Sequence, residues 1–140
     1  MLISTKGRYA LRVMIELASH QENEVVPLPT IAEKQGISEK YLESIIVVLS
    51  KAGVIEGLRG KGGGYRLNRA PKDYSVGEIL RLTEGSLSPV SCLDDYKCER
   101  AANCKTLPLW EKLNMIICNY LDSVSLADLI DPSSIGDYCI

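Results

Sequence analysis

The chain has 140 residues, of which 46% are hydrophobic and 24% are charged, and its formal net charge is −2. No apolar run approaches the roughly 20 residues of a membrane span, and the N-terminus lacks a signal-peptide core, so a cytoplasmic protein without membrane partners is expected. Residues 1–69 contain 10 Lys and Arg against 7 Asp and Glu, whereas residues 70–140 contain 6 against 11. This asymmetry is compatible with DNA binding through one face of a weakly acidic protein.

Two helices are predicted before residue 37. Residues 8–18 form an amphipathic pattern, and the residues before it offer N-cap groups and a helix start that can contact phosphate. Thr30 is predicted to cap a short helix that ends at Gly36. The chain then turns and enters a longer helix, which is the spacing of a helix-turn-helix motif whose second helix contacts DNA bases.

The longer helix has clear start and stop signals. Ser38 is a favourable N-cap, and Gly53 stands where a C-terminal cap glycine is common. One face is apolar and is predicted to join the core; its residues are Leu42, Ile45, Ile46 and Leu49. The remaining faces present donors, acceptors and an aromatic ring, on Lys40, Tyr41, Glu43 and Ser44.

A basic, glycine-rich hairpin is predicted next. Short β-type runs at 54–56 and 65–67 flank a loop with five glycines, and from Gly57 to Arg69 there are four basic and no acidic residues. The spacing excludes a P-loop, because Lys61 is followed by Gly62, and it excludes the dinucleotide fingerprint. Helix and hairpin together predict a mainly α winged helix-turn-helix fold with a small β wing. An ordinary flexible hairpin is the alternative.

The second half is predicted to be helical around an irregular segment. Ser75 caps one helix, residues 85–106 are irregular, a long apolar helix covers 109–124, and a short helix follows at 125–130. The long helix favours dimerisation, although packing on its own domain is the alternative. We therefore divide the chain into three parts: a DNA-binding domain (1–70), a connecting helix with a cysteine-bearing loop (71–106), and a dimerisation helix with the C-terminal tail (107–140).

Three cysteines, Cys92, Cys98 and Cys104, lie at six-residue intervals in the irregular segment. In a reducing compartment such thiols indicate metal, cluster or redox chemistry more than disulfides. The paired spacing of structural zinc sites and the plant-type ferredoxin spacing are both absent, so the spacing favours a soft metal or an iron–sulfur cluster without identifying it. An enzyme is not expected, because the single histidine, His20, is predicted to be a solvated surface residue outside any catalytic constellation.

Several segments resemble the Rrf2 family of bacterial winged-helix transcription regulators. They are residues 4–10, 36–43, 58–67 and 76–79 together with the pair at 109–110, so the resemblance extends over nearly the whole chain. It implies a homodimer on a pseudo-palindromic DNA operator, with the recognition helix in the major groove. Ser38, Tyr41, Glu43 and Ser44 would contact bases or backbone, Arg59 the minor groove, and Lys6 and Tyr9 phosphates; Lys40, Lys61 and Tyr65 complete the candidate DNA-binding set.

In the IscR branch of this family, three cysteines at this spacing ligate a [2Fe–2S] cluster, which matches Cys92, Cys98 and Cys104. That branch has a histidine three residues after the third cysteine, where this chain has Leu107. The N-terminal aspartate that serves as a ligand in NsrR-type members is replaced by Arg8. The fourth ligand is therefore open; the candidates are Asp94, Asp95, Glu99, Cys118, a residue of the partner subunit, and an exogenous thiol or water.

The expected function is a homodimeric repressor of iron–sulfur cluster biogenesis that senses cluster status. Residues 122–129 also resemble the CymR branch, which lacks this cysteine set. A cluster-free thiol-redox or cysteine-metabolism repressor therefore remains an alternative, with a cluster donor or a partner enzyme as a further partner. A winged-helix module that binds protein instead of DNA is a third hypothesis.

Overall fold

The computed structural model describes residues 2–95, 98–131 and 133. The helices are α1 (Thr5–Ala18), α2 (Leu28–Gln35), α3 (Glu39–Lys51), α4 (Val76–Glu84), α5 (Cys92–Asp95), α6 (Leu107–Ser123) and α7 (Leu126–Ile130). The strands are β1 (Ile55–Leu58) and β2 (Gly64–Leu67), and single 3₁₀ turns occur at Pro71–Asp73 and Ala101–Asn103. The order of elements is that of a winged helix-turn-helix followed by a helical C-terminal half, which confirms the predicted fold class.

Serine side chains cap the starts of α1 and α3, whereas α2 begins without a side-chain cap. The Ser38 hydroxyl accepts a hydrogen bond from the Tyr41 N–H at 3.1 Å, as predicted for α3. Ser4 caps α1 in the same way, so that helix begins earlier than its apolar pattern indicates. Thr30 does not cap α2, because the helix already begins at Leu28 after the N-cap Pro27. A proline is tolerated there, since the first N–H groups of a helix have no intrahelical acceptor.

The main core lies between α1, α2, α3 and α4. The predicted apolar face of α3 is buried as a unit, because its four residues are at most 3% exposed. It packs against buried side chains from the other helices, and these include Val13, Met14, Ile31 and Ile79. Burial of this face leaves the opposite side of α3 outside the core, which positions that side for contact with another molecule.

The wing is an antiparallel hairpin joined to the body by a backbone bridge. Its register pairs Ile55 with Leu67 and Leu58 with Gly64. Val26 and Tyr65 exchange two backbone hydrogen bonds, of 2.8 and 2.9 Å. This approach requires a glycine at position 64, because a Cβ there would lie 2.3 Å from the Val26 carbonyl oxygen. The bridge fixes the wing beside the start of α2.

The fully buried Tyr74 ties the base of the wing to the second half of the chain. Its hydroxyl donates to the Val54 carbonyl oxygen at 2.7 Å and accepts from the backbone N–H groups of Asn68 and Arg69, at 3.2 and 3.1 Å. Its own carbonyl oxygen accepts from the Leu126 N–H at 3.1 Å. One residue therefore joins both ends of the wing to α7.

The helical C-terminal half packs through α4. Arg81 of α4 makes two hydrogen bonds to the Asp122 carboxylate of α6, at 2.6 and 3.0 Å. A second small core joins Val76, Leu80 and Leu87 to partly buried residues of α6, among them Cys118 and Leu121. Among the helices of the described chain, none combines the length and the apolar character needed to cross a membrane.

Tyr74→Phe is expected to lower the free energy of unfolding by about 1–3 kcal/mol, because one carbonyl and two N–H groups at the wing base lose their shared partner. Urea unfolding followed by circular dichroism measures this as a lower midpoint at an unchanged slope. Ser50→Ala, which removes a hydroxyl from an exposed position of α3, is the control and should have little effect. Equal midpoints for the two variants would contradict the role of the Tyr74 hydroxyl.

Candidate nucleic-acid interface and cysteine segment

The exposed side of α3 brings several predicted site residues together. Lys40, Glu43 and Ser44 are exposed and lie on the side of the helix opposite the buried face. At about 100° per residue, these three side chains leave the helix within an arc of about 100°. The surface thus combines a cation, a carboxylate and a hydroxyl, which can pair with both phosphates and base edges.

Two serines of the candidate set are also engaged inside the helix. The Ser38 oxygen accepts from the Tyr41 N–H as the N-cap, and the Ser44 hydroxyl donates to the Tyr41 carbonyl oxygen at 2.6 Å. Ser38 therefore keeps its O–H to donate outward, whereas Ser44 keeps lone pairs to accept. The local structure assigns the two exposed hydroxyls different hydrogen-bonding roles.

A cluster that we call the aromatic brace holds α3 against α1. The ring of Tyr9 meets the ring of Tyr41 edge-on, with centroids 5.9 Å apart and planes at 89°. The Arg12 guanidinium lies 4.6 Å from the Tyr9 centroid. It also donates to the side-chain oxygen and the carbonyl oxygen of Gln35, at 2.8 and 3.0 Å. Arg12 thus links α1 to the last residue of α2, directly before the turn into α3.

Ion pairs divide the four basic residues of the wing region into two classes. Arg66 pairs with Glu56 across the hairpin at 2.5 Å, and Arg69 pairs with Glu78 of α4 at 2.5 Å. The hydrogen bond to Glu78 raises the pKa of Arg69. Arg59 and Lys61 are exposed, and no ion pair in the described chain includes either of them. The wing tip therefore carries the positive charge that an external anion can reach.

The start of α1 is bound by a carboxylate of the same chain. The N–H and the hydroxyl of Ser4 both donate to Glu84 Oε1, at 3.1 and 2.5 Å, across 80 residues of sequence. The fit is close, because a Cβ on Gly7 would lie 2.3 Å from the same oxygen. The predicted phosphate contact at this helix start therefore has an internal competitor. Two cationic groups remain in the first turn: Lys6, which is partly exposed, and Arg8, which is exposed and donates to the Thr5 hydroxyl.

The segment predicted to be irregular contains the short helix α5 and a 3₁₀ turn, and its three cysteines are free thiols. Cys98 is exposed, Cys92 begins α5, and Cys104 follows the 3₁₀ turn at Ala101–Asn103. A hydrogen bond with the Thr106 hydroxyl, at 3.3 Å, lowers the pKa of the Cys104 thiol. Over the described residues, no three His, Cys, Asp or Glu side chains are grouped as a metal site. The donor chemistry still fits an iron–sulfur cluster, since free thiols are the usual source of its protein ligands.

The candidates for a fourth ligand differ in their surroundings. Asp94 accepts hydrogen bonds from the hydroxyls of Ser86 and Ser88, which lower its pKa. Cys118 lies on α6, partly buried against the second core, with its sulfur 3.6 Å from Asn114 Oδ1. The side chain of Asp95, like Cys139, lies outside the described residues.

His20 is not the solvated residue that the sequence predicts. Its side chain is 17% exposed and lies between the carboxylates of Glu16 and Glu24, at 3.0 and 3.3 Å. The i, i+4 spacing of Glu16, His20 and Glu24 indicates that their side chains are neighbours. A prediction based only on the residue type of His20 misses this.

The comparisons with known proteins agree with this geometry. The family model described as "Rrf2: Iron-dependent Transcriptional regulator" matches residues 3–132. The chain is 38% identical over 130 residues to the HTH-type transcriptional regulator IscR of Aliivibrio salmonicida (strain LFI1238), an alignment that covers 93% of this chain and 77% of that protein. The structure of CymR, the global cysteine regulator of B. subtilis, matches with a TM-score of 0.78 and 39% identity over 93% of this chain and 96% of that one. The structure of T. potens IscR matches with a TM-score of 0.76 and 41% identity over 97% and 90%. The chain belongs to the Rrf2 family of winged-helix transcriptional regulators and is not an enzyme.

Proposed function

We propose that this DNA-binding regulator acts in the cytoplasm as a homodimeric, sequence-specific repressor of iron–sulfur cluster biogenesis. The exposed side of α3 and the wing tip form its DNA surface, and the cysteine segment, residues 85–106, is its sensor. The observation that carries the DNA-binding part is the coincidence of a mixed polar surface on α3 with two accessible wing cations, Arg59 and Lys61.

On DNA, α3 enters the major groove and the wing lies along the neighbouring backbone. Glu43 accepts from a cytosine amino group, while Ser38 donates to a base or phosphate. Arg59 enters the minor groove, where a narrow width concentrates negative potential. Phosphates are contacted by Lys6, Lys40 and Lys61. Tyr9, Tyr41 and Tyr65 border this surface, and their packing against the protein holds it in place.

The exposed side of α6 supports the homodimer. No residue of α6 is buried within the single chain, and Leu109 and Ile116 are 57% and 56% exposed. With Leu113 and Tyr120 they follow a 4-3-4 spacing and fall within an arc of about 60°. That spacing is typical of a helix seam that a second helix covers. A two-fold axis at this seam would present two recognition helices to a pseudo-palindromic operator.

Cys92, Cys98 and Cys104 are the proposed ligands of an iron–sulfur cluster, of the [2Fe–2S] type. Bound there, the cluster would supply an iron- and oxidant-dependent link between three thiols of one segment. The support is the presence of free thiols in a segment with little packing of its own. The fourth ligand stays open between the chain's own candidates, the partner subunit and an external group.

Two contacts attach the elements at the ends of the cysteine segment to α1 and α4, which pack against α3. The segment begins at Gly85, directly after Glu84, which holds the start of α1 through Ser4. It ends at α6, which Asp122 attaches to Arg81 of α4. A rearrangement between these points therefore acts on helices that support α3 and on the proposed dimer seam. This gives a two-state route by which sensing shifts DNA affinity.

A cluster-free thiol-redox or cysteine-metabolism repressor is the second candidate, with a partner enzyme in place of a cluster donor. Two observations favour it: the similarity to the B. subtilis global cysteine regulator, and Leu107 at the position where the IscR branch has a histidine.

Arg59→Ala should weaken binding to a selected operator at fixed salt by tenfold or more, because a hydrogen bond made by a charged group is worth about 1.5–3 kcal/mol. Fluorescence anisotropy with operator and scrambled duplexes measures the change. Lys61→Ala is the matched control: it should weaken both duplexes equally and reduce the salt slope by about one. Unchanged operator affinity for Arg59→Ala would refute its placement in the minor groove.

Arg12→Ala should weaken operator binding without changing the salt slope, because the aromatic brace positions α3 and need not touch phosphate. Arg12→Lys should be similarly weak, since an ammonium cannot reproduce the two hydrogen bonds to Gln35. A salt slope reduced by about one would instead show that Arg12 contacts phosphate directly.

Anaerobically purified protein should contain roughly two irons per chain with matching sulfide, and Cys92→Ala should lose both together with the visible absorption. Cys139→Ala, which removes a thiol outside the described residues, is the control and should keep the iron. Colourless wild-type protein after reconstitution would make the cluster-free repressor the better hypothesis.

A further inference from the structure

One exposed residue of α3 differs in kind from its neighbours. Val47 is 49% exposed, and within α3, all of whose residues are described, it is the one large apolar side chain in the exposed class. It does not belong to either hydrophobic core. The residues that share its side of the helix, Lys40, Glu43, Ser44 and Lys51, are polar or charged and exposed.

The helix geometry places Val47 on the proposed base-contacting side. It follows Glu43 and Ser44 by one turn and Lys40 by two, so all four side chains leave α3 within an arc of about 100°. From Glu43 to Val47 the helix advances by four residues, or about 6 Å, which is close to two base-pair steps of about 3.4 Å. Val47 therefore faces a base pair beyond the one that Glu43 would contact.

The major groove offers one apolar group at a base edge, the C5-methyl of thymine. We infer that Val47 contacts this methyl group and selects for thymine at one position in each half of the operator. The inference rests on the proposed DNA-binding mode and adds a residue that determines specificity.

The charges around Val47 favour DNA over a protein partner for this surface. Lys40 and Lys51 lie on the same side at either end of it, and the accessible wing cations follow in the chain. An apolar protein surface that covered Val47 would also have to desolvate both lysines and Glu43. In a DNA groove, by contrast, a thymine methyl group can contact Val47 while phosphates and base edges pair with the charged side chains around it.

The test uses the full-length protein and thymine-to-uracil replacement, which removes the methyl group and keeps every hydrogen-bonding atom. Duplexes are first selected from a random pool with the wild-type protein, and each thymine is then replaced singly by uracil. At one position per half-site, replacement should weaken wild-type binding by about fourfold, the value of one buried methyl group. Val47→Ala should bind the thymine duplex more weakly and show no difference between thymine and uracil there.

Two further variants separate this contact from other causes. Lys51→Ala should bind thymine and uracil duplexes with the same fourfold ratio as wild type, at lower overall affinity. Leu58→Ala, which removes an apolar side chain that is 45% exposed on the wing, should also keep the ratio. The inference is overturned if no thymine is sensitive in wild type, or if Val47→Ala keeps the ratio. A wild-type protein that prefers no sequence over random DNA would instead refute the proposed function itself.

Discussion

One buried hydroxyl joins the two ends of the wing. Tyr74 is fully buried, and its oxygen joins the residue before β1 to the residues after β2. A two-stranded hairpin is marginal by itself, so its orientation must come from contacts with the rest of the protein, at its base and at the bridge between Val26 and Tyr65. The Arg69 guanidinium lies 4.1 Å from the Tyr74 ring centroid and forms an ion pair with Glu78 of α4. This ion pair adds a second link between the wing base and α4. Through Tyr74 the second half of the chain, together with the bridge between Val26 and Tyr65, positions the wing relative to α3.

Pairing decides which charges of this protein are available to a ligand. The sequence shows four cations and no acid between Gly57 and Arg69, yet Glu56 lies just before that stretch and Glu78 follows nine residues after it. The hairpin register and the packing of α4 bring these two carboxylates to Arg66 and Arg69. Charge counts along a chain therefore overstate the charge that an external anion meets, whereas the wing tip keeps its full value.

Local signals made much of the fold predictable. The Ser38 cap, the apolar face of α3 and the two-residue period of the wing each depend on neighbours within a few positions, and the structure confirms them. The contact between Ser4 and Glu84 spans 80 residues, so no short-range sequence pattern predicts it. The predicted start of α2 was wrong: Thr30 suggested an N-cap, but Pro27 occupies that position and the helix begins at Leu28. The cysteine spacing shows that three thiols lie in one segment. Whether they come together to bind one group depends on the conformation of the backbone between them, which the spacing does not determine.

The small number of contacts that hold α6 affects how fast this protein is degraded in a cell. One side of the helix is held by Arg81 and a small core, while its other side exposes leucine and isoleucine. Elements with few buried contacts open first, and proteases act on the opened form. On the proposed dimer, a chain without a partner would be degraded faster than a paired one. Turnover would then remove surplus monomers, and the cellular level of the regulator would follow its ability to dimerise.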